Sequence, residues 1–253
     1  MENKEFSYKG LVLNGFLALL LVLGVLALAI FFFSKAGGND AWPVAGVLTI
    51  MLFALCMSGF IKLEPNEAKV LVFFGKYSGT FTRTGFYWVN PLLSKKSVSL
   101  RARNLNPEPI KVNDKAGNPV LIGMVLVWKL EDTYKALFEI DSQSLAGGSL
   151  SASPRNGSAR MLSAAFENFV RVQSDAALRQ VAGCYAYDNP DTPDELTLRS
   201  NADEINEKLV ATLNERLNMA GLHVTEARIN YLAYAPEIAA VMLRRQQADA
   251  IIA

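Results

Sequence analysis

Two long apolar stretches without a charged residue constrain this chain more than any other feature. They run over Leu11–Phe33 and Ala41–Ile61. Because a helix rises about 1.5 Å per residue, roughly 20 such residues are enough to cross the hydrocarbon core of a bilayer. Either stretch alone could be a buried helix of a soluble core, but the two in tandem favour a membrane protein. The sequence therefore predicts two transmembrane helices.

The link between the two stretches, Ser34–Asp40, is short and contains Gly37 and Gly38. Two spans with so short a link form a hairpin, which places both of its ends on the same side of the membrane. Lys35 lies in the link, whereas more lysines lie near the other ends of the spans: Lys4, Lys9, Lys62 and Lys69. The positive-inside rule then predicts that the termini and the folded domain are cytoplasmic. The first stretch is too long for a cleaved signal peptide, whose apolar core has about 7–15 residues.

Net charge and cysteine content argue against two other classes of protein. The chain carries 25 Lys and Arg against 24 Asp and Glu, and the basic residues are dispersed, so no nucleic-acid surface is predicted. Cys56 lies inside the second apolar stretch and Cys184 lies far from it. This placement gives no disulfide framework.

A strand pattern begins soon after the second stretch. Ala68–Phe74 is an apolar run that ends at a turn formed by Gly75 and Lys76, and a second run extends to Trp88. The spacing predicts a β-hairpin where the membrane anchor joins a folded domain.

The middle of the chain predicts two strands, a short helix and a loop. Ser97–Asn106 alternates between apolar and polar residues, and Pro119–Leu130 is rich in Val, Leu and Ile, as strands are. Asp132 is typical of an N-cap, here of a helix over Tyr134–Ile140. Ser142–Ala165 is dominated by Ser, Gly and Ala, so we interpret it as a flexible surface insertion.

Helical periodicity returns in the last third of the chain, over Phe166–Tyr185 and Glu195–Ala220. Apolar residues recur every four positions along one face of the second helix: Ile205, Leu209, Leu213 and Leu217. Gly221 is a candidate C-cap, and the alternation of Leu222–Tyr234 predicts a returning strand. Pro236 then opens a helix that runs to the last residue. The predicted fold class is α+β.

Residues for catalysis, metal binding or cofactor binding form no recognisable pattern. His223 is the one histidine, so neither a zinc site of His and Cys ligands nor a Ser–His–Asp triad is predicted. Asp203 and Glu207 lie one helical turn apart among polar neighbours, which is typical of a solvated helix face. We predict no catalytic residue, no metal and no cofactor, and we interpret the protein as a non-enzyme.

Two groups of residues are candidates for interactions. Aromatic side chains near the apolar stretches are candidates for the membrane interface, where aromatic rings with a polar edge are favoured: Trp42, Phe86, Tyr87 and Trp88. Packing of these rings in the core is the alternative. Residues of Ala239–Ala253 are candidates for an oligomer interface: Val241, Met242, Arg244, Arg245, Ile251 and Ile252.

Several segments, in this order, resemble the SPFH or band 7 family, which includes stomatins, prohibitins and flotillins. No single segment is diagnostic, but the ordered set is specific. It covers about Leu63–Ala253 and consists of Ala68–Tyr77, Thr84–Pro91, Val112–Pro119, Phe169–Arg179 and Met242–Ala248.

The resemblance implies a mixed SPFH domain on a membrane anchor and large homo-oligomers formed through that domain and a long C-terminal helix. It further implies a scaffold that organises membrane microdomains, or that encloses and regulates other membrane proteins such as proteases. It implies no catalysis. Ser142–Ala165 departs from the family pattern as an insertion, and the helix that stops at Ala253 is short for the family.

We therefore expect four segments: an N-terminal tail (1–10), a transmembrane hairpin (11–61), an SPFH domain (62–234, with the insertion 142–165) and the start of an oligomerisation helix (235–253). The expected function is a non-enzymatic, self-assembling membrane scaffold. The alternative is a regulatory subunit of a membrane protease or of another single membrane partner. The expected partners are membrane lipids and further copies of the chain, with a membrane protease as a candidate and no nucleic acid.

Overall fold

The computed structural model describes residues 5–35, 41–139, 158–188, 196–242 and 244. The chain forms two compact units, unit 1 over Met1–Leu100 and unit 2 over Arg101–Ala253. Both contain helices and strands, so the predicted α+β class is confirmed. The predicted division at residues 10, 61 and 234 stays a prediction.

Unit 1 contains two apolar helices that pack against each other, α1 (Gly15–Ser34) and α2 (Ala41–Met57). By length and composition, α1 is the one described helix that is both long enough and apolar enough to cross a membrane. At 17 residues, α2 is at the lower limit of about 17–25 residues for a span. On the domain side, the outermost apolar residues of both predicted spans belong to short strands, Val12–Asn14 and Phe60–Leu63. Both helices are therefore shorter than the predicted spans.

Three short strands adjoin the helices in one sheet of unit 1. They are β1 (Val12–Asn14), β2 (Phe60–Leu63) and β5 (Gly85–Val89). Their order is β1-β5-β2, and both pairings are antiparallel. The strand that precedes α1 and the strand that follows α2 therefore hold the same central strand between them.

The second sheet of unit 1 has the order β4-β3-β6. Its strands are β3 (Glu67–Phe73), β4 (Lys76–Phe81) and β6 (Ser94–Ser99). The hairpin predicted after the second span is confirmed in β3 and β4. Its second arm is shorter than predicted, since the exposed segment 82–84 separates β4 from β5 and moves β5 into the other sheet.

Unit 2 is built on one long strand, β9 (Pro119–Leu130). It pairs with three antiparallel neighbours: β7 (Arg103–Leu105), β8 (Ile110–Asn113) and β10 (Leu222–Tyr234). The predicted bounds of β9 and β10 are confirmed. The single strand predicted over Ser97–Asn106 is wrong, because the chain leaves the β6 pairing after Ser99 and forms β7 in the other unit.

Two helices of unit 2 are α3 (Ser158–Ala182) and α4 (Ala202–Leu217). The predicted apolar stripe of α4 is confirmed, since its four residues are fully buried and α4 packs on β10. Because α3 begins at Ser158, the last part of the predicted insertion is wrong: it is helical. The preceding part, from Ser142 to residue 157, lies outside the described residues.

The two helix caps predicted from the sequence, at Asp132 and Gly221, lie where they were expected. The Asp132 carboxylate accepts hydrogen bonds from the backbone N–H groups of Tyr134 (2.9 Å) and Lys135 (3.0 Å). It thereby opens a short π-helical segment, Lys135–Glu139. Gly221 adopts the left-handed φ of 63° after α4, as predicted for a C-cap. The predicted last helix begins after Ala235 and is described over 236–242.

Candidate functional site: the anchor junction

The candidate site is the anchor junction, which consists of the sheet β1-β5-β2 and the adjoining ends of α1 and α2. The register places Trp88 of β5 between Leu13 of β1 and Phe60 of β2. Tyr87 lies between Asn14 and Ile61 in the same way. Three of the four predicted membrane-interface residues are therefore brought together on β5, directly at the helix ends.

Trp88 closes the end of α2. Its indole Nε1–H donates a hydrogen bond of 2.8 Å to the backbone carbonyl of Cys56, one of the carbonyls that a helix end leaves without an intrahelical donor. The nearby turn residue Gly59 permits this contact, because a Cβ on it would lie 2.3 Å from Nε1 of Trp88. Trp88 is thus half-buried at the domain-side end of the helix pair.

Phe86 packs against the start of α1 and the start of β2. Its ring stacks on Phe60 with 5.3 Å between centroids and meets Phe16 edge-on at 5.6 Å. Gly15, the first residue of α1, allows this approach, because a Cβ there would lie 2.3 Å from Phe86 Cδ1. The side chain of Asn14 caps α1 by accepting the backbone N–H of Phe16 at 3.0 Å.

Tyr87 points to the opposite face of β5, as alternation along a strand requires. Its ring meets Phe81 edge-on at 5.2 Å and packs against the buried core of unit 1. That core consists of Ile61, Leu63, Leu71, Phe81, Val89 and Leu93. Tyr87 therefore packs in the core, which was the alternative to a membrane-interface position. Phe86 and Trp88 face the helix ends.

Trp42 lies at the other end of the helix pair. It is in the first turn of α2, 38% exposed, with its ring 5.9 Å from that of Phe32 near the end of α1. The 20 residues of α1 span about 30 Å at about 1.5 Å per residue, the thickness of a hydrocarbon core. Aromatic rings therefore bracket an apolar helix pair at both ends, as in membrane-spanning helices.

Lys95 of β6 adds a charged contact at the end of α2 that the sequence pattern did not reveal. Its ammonium group donates a hydrogen bond to the backbone carbonyl of Ser58, the first residue after α2. A cation is favourable at a helix C-terminus. Burial, and next the nearby Lys69 ammonium, lower the pKa of Lys95.

The segment before α1 is also attached to unit 1. Tyr8 N–H donates to the Thr80 carbonyl at 3.0 Å, and Thr80 N–H donates to the Phe6 carbonyl at 2.9 Å. Residues 6–8 thus add backbone pairing to the free edge of β4. Sequence reasoning missed this docking, and the alternation of Phe6 and Tyr8 was the one available signal.

The candidates for an oligomer interface follow β10. Val241 is 64% exposed, Met242 is half-buried and Arg244 is exposed. Arg245, Ile251 and Ile252 lie outside the described residues. Just before them, Glu237 forms an ion pair of 2.6 Å with Lys111 of β8, so the start of this helix is attached to the sheet.

At the end of β10, two tyrosines form an aromatic pair that joins this strand to the segment after α3. The rings of Tyr187 and Tyr234 are 4.0 Å apart, and the Tyr234 hydroxyl donates to Asp188 at 3.0 Å. Burial, followed by this hydrogen bond, raises the pKa of Tyr234.

Groups with catalytic potential lie apart from one another. His223 is 41% exposed on β10, with Nδ1 3.6 Å from a carboxylate oxygen of Glu131. The exposed Cys184 thiol donates to the Gln180 carbonyl. Within the described residues, no cluster of three His, Cys, Asp or Glu side chains has metal-binding geometry.

Comparison with known proteins decides the family. The model of the SPFH domain / Band 7 family matches residues 61–252, which is well over half of the chain. The chain belongs to the SPFH/band 7 family. No curated protein matches it.

The match includes the last part of unit 1 and nearly all of unit 2. It begins within β2 and includes the whole of β3 to β10. SPFH proteins are generally non-enzymatic membrane scaffolds that interact with membranes and oligomerise. Family membership and the apolar helix α1 together indicate that the protein is associated with a membrane.

Proposed function

We propose that this SPFH protein is a non-enzymatic, membrane-anchored scaffold that assembles with copies of itself. In this role it organises membrane microdomains or membrane protein complexes. The observation that carries the proposal is the anchor junction, in which β1 and β2 hold β5 between them. A domain attached in this way is held rigidly to the helix pair. β1 leads directly into α1, β2 follows α2, and β5 bonds to the end of α2 through Trp88.

The proposal includes a membrane hairpin of α1 and α2, with the termini and the SPFH domain in the cytoplasm. The excess of lysine near the domain-side ends of the spans supports this orientation. Cys184 is exposed in unit 2, whereas Cys56 lies within α2. An impermeant maleimide should therefore label Cys184 in inside-out vesicles of the native membrane and leave it unlabelled in right-side-out vesicles. Labelling in right-side-out vesicles alone would reverse the orientation.

Self-assembly is proposed to use the helix that follows β10. Val241 is exposed on this helix, and an apolar side chain at that position gains by burial against another copy. We expect Val241→Glu to reduce the mass of the detergent-extracted protein, measured by size exclusion with light scattering. Met219→Glu is the matched control, since Met219 is 63% exposed and lies outside the proposed interface.

The outcome of that measurement separates the proposed scaffold from a regulatory subunit. A large homo-oligomer that Val241→Glu disrupts and Met219→Glu leaves intact supports the scaffold. A small complex with one stoichiometric second protein, such as a membrane protease, contradicts it. Equal effects of the two substitutions would argue against the helix as the interface.

A further inference from the structure

The turn between β3 and β4 exposes two phenylalanines at its tip. Phe73 is 39% exposed and Phe74 is 82% exposed, and their rings meet edge-on with centroids 4.8 Å apart. In water, adjacent exposed aromatic rings are unfavourable, and such a patch marks a site of interaction with another apolar surface.

The backbone of this turn does not favour phenylalanine. Phe73 pairs with Lys76, so Phe74 and Gly75 form a two-residue turn with φ angles of 43° and 87°. Hairpin turns with two positive φ angles prefer Asn followed by Gly, and a bulky residue at positive φ is uncommon. The turn conformation therefore does not explain why this position holds phenylalanine. A contact made by the aromatic ring does.

Strand register places this tip at the end of unit 1 from which α2 emerges. Val72, which precedes Phe73, lies opposite Ser94 of β6. The next residue of β6, Lys95, bonds to the carbonyl of Ser58 at the end of α2. Since β3 runs toward this end, its other end, near Pro65, is directed away from the helices.

Other exposed apolar side chains share this end of unit 1. Leu92 is 52% exposed and follows Pro91, whose carbonyl accepts a hydrogen bond of 3.3 Å from the Ser58 hydroxyl. Phe6 is 44% exposed, with its ring 4.9 Å from that of Tyr77, next to the hairpin turn. We call Phe6, Phe73, Phe74 and Leu92 the apolar rim.

The charge of this part of the chain is positive. Residues 62–100 contain six basic side chains against two acidic ones, Glu64 and Glu67. The basic residues are Lys62, Lys69, Lys76, Arg83, Lys95 and Lys96. Lys76 belongs to the hairpin tip itself, and Lys95 and Lys96 are at the rim end of β6. Basic groups beside a bilayer attract anionic phospholipid headgroups.

We propose that the apolar rim inserts into the bilayer surface at the leaflet from which α2 emerges. Phe73 and Phe74 enter the boundary between headgroups and acyl chains, and the neighbouring lysines contact anionic headgroups. This proposal rests on the membrane anchoring in the proposed function. It adds a second attachment, made by residues outside the two helices. It fixes the orientation of unit 1 on the membrane, which a hairpin of two helices alone leaves free to tilt.

The test uses the full chain with Cys56→Ser and Cys184→Ser, in vesicles of phosphatidylcholine and phosphatidylglycerol. An environment-sensitive nitrobenzoxadiazole label is attached at Phe74→Cys, and its quenching by doxyl-labelled lipids is measured. Pro65→Cys, exposed near the opposite end of β3, is the matched control. Leu20→Cys, at a position 71% exposed on α1, reports the anchoring itself.

We expect quenching at position 74 to be several-fold stronger than at position 65, and weaker when phosphatidylglycerol is replaced by phosphatidylcholine. Quenching at position 20 without quenching at position 74 would overturn insertion and leave the anchoring intact. A label at position 74 that is blue-shifted without lipid quenching is covered by protein, such as a second copy, which also overturns it. A label at position 20 that escapes quenching overturns the anchoring and this proposal with it.

A second variant separates the ring of Phe74 from the fold of the hairpin. Asn suits the positive φ of this position, so Phe74→Asn should keep the melting temperature of the protein. With the label at Lys76→Cys, we expect lipid quenching to fall severalfold in the Phe74→Asn background. Unchanged quenching there would show that the Phe74 ring makes no membrane contact.

Discussion

Helix α1 in unit 1 and helix α4 in unit 2 place their apolar side chains in opposite environments. In the most apolar window of α1, 17% of the residues are buried within the protein. In α4, the residues of the apolar stripe have no exposed surface at all. Unit 2 therefore contains its own apolar environment, whereas α1 depends on one supplied from outside, which in the proposed function is the bilayer.

The contacts that join each helix to its sheet differ in the same way. Asn214 of α4 bonds through its amide to both backbone groups of Val224, at 2.8 and 3.0 Å, beside a bulge of β10. In contrast, α1 contacts the sheet of unit 1 through its first turn, where Gly15 and Phe16 meet Phe86. Helix α4 therefore joins its sheet along its length, whereas α1 joins the sheet of unit 1 at one end and otherwise packs against α2.

The largest difference between the helices should appear when a leucine is shortened. Leu213→Ala removes a fully buried side chain of α4 and should lower the free energy of unfolding by about 2–5 kcal/mol. Leu20→Ala removes a side chain of α1 that is 71% exposed. Detergent or lipid fills the space left there, so little change is expected. Denaturant unfolding in detergent compares the two variants, and similar losses would contradict the assignment of α1 as lipid-facing.

A smaller effect distinguishes the attached end of α1 from its middle. A Cβ on Gly15 would lie 2.3 Å from Phe86 Cδ1 and 2.8 Å from its carbonyl carbon, whereas nothing lies within 4 Å of a Cβ on Gly24. We expect Gly15→Ala to lower stability by about 1–3 kcal/mol, as overpacking does. Gly24→Ala should be neutral or mildly stabilising, because alanine favours helix over glycine.

Thermal unfolding followed by tryptophan fluorescence measures both glycine variants, since Trp88 lies in the same junction. Both substitutions replace glycine by alanine in α1, so the change in helix propensity is the same in the two variants. If Gly24→Ala destabilised the protein as much as Gly15→Ala, the close approach of β5 to α1 would not be the cause.

Much of the fold followed from periodicity and turn residues. The alternation of Leu222–Tyr234, the stripe of α4 and the positive φ of Gly221 were each visible as local patterns, and each was confirmed. These elements are long or end in residues with one clear structural role. Their residues carry enough local information to identify them.

The junction was only partly predictable. Phe86, Tyr87 and Trp88 were recognised as aromatic neighbours of the anchor, but their division between two faces of β5 depends on pairing with β1 and β2. Both partner strands are short. β1 lies within the first predicted span, and β2 begins within the last two residues of the second. Asn14 before Gly15 and Ser58 before Gly59 were the available signals, because such pairs are typical of caps and turns.

The smallest expected effect concerns the other attached helix, the one that follows β10. The hydrogen bond from Lys111 lowers the pKa of the Glu237 carboxyl below its ordinary value of 4.5. A carboxyl whose pKa is lowered by folding contributes stability that is present above the unfolded pKa and is lost as pH falls through the folded one. Both side chains are largely exposed, so solvent screens the pair and the contribution is small.

Protection of the Ile238 and Ala239 amides, which bond to the Ala235 carbonyl, should therefore decrease as pH falls below 4.5. Hydrogen exchange, corrected for intrinsic rates, measures this protection. Glu237→Gln should remove the pH dependence, because an amide does not titrate in this range. Glu226→Gln, which breaks the exposed pair with Arg228 on β10, is the matched control and should retain it. If Glu237→Gln kept the full pH dependence, the contact with Lys111 would not be what holds the start of this helix.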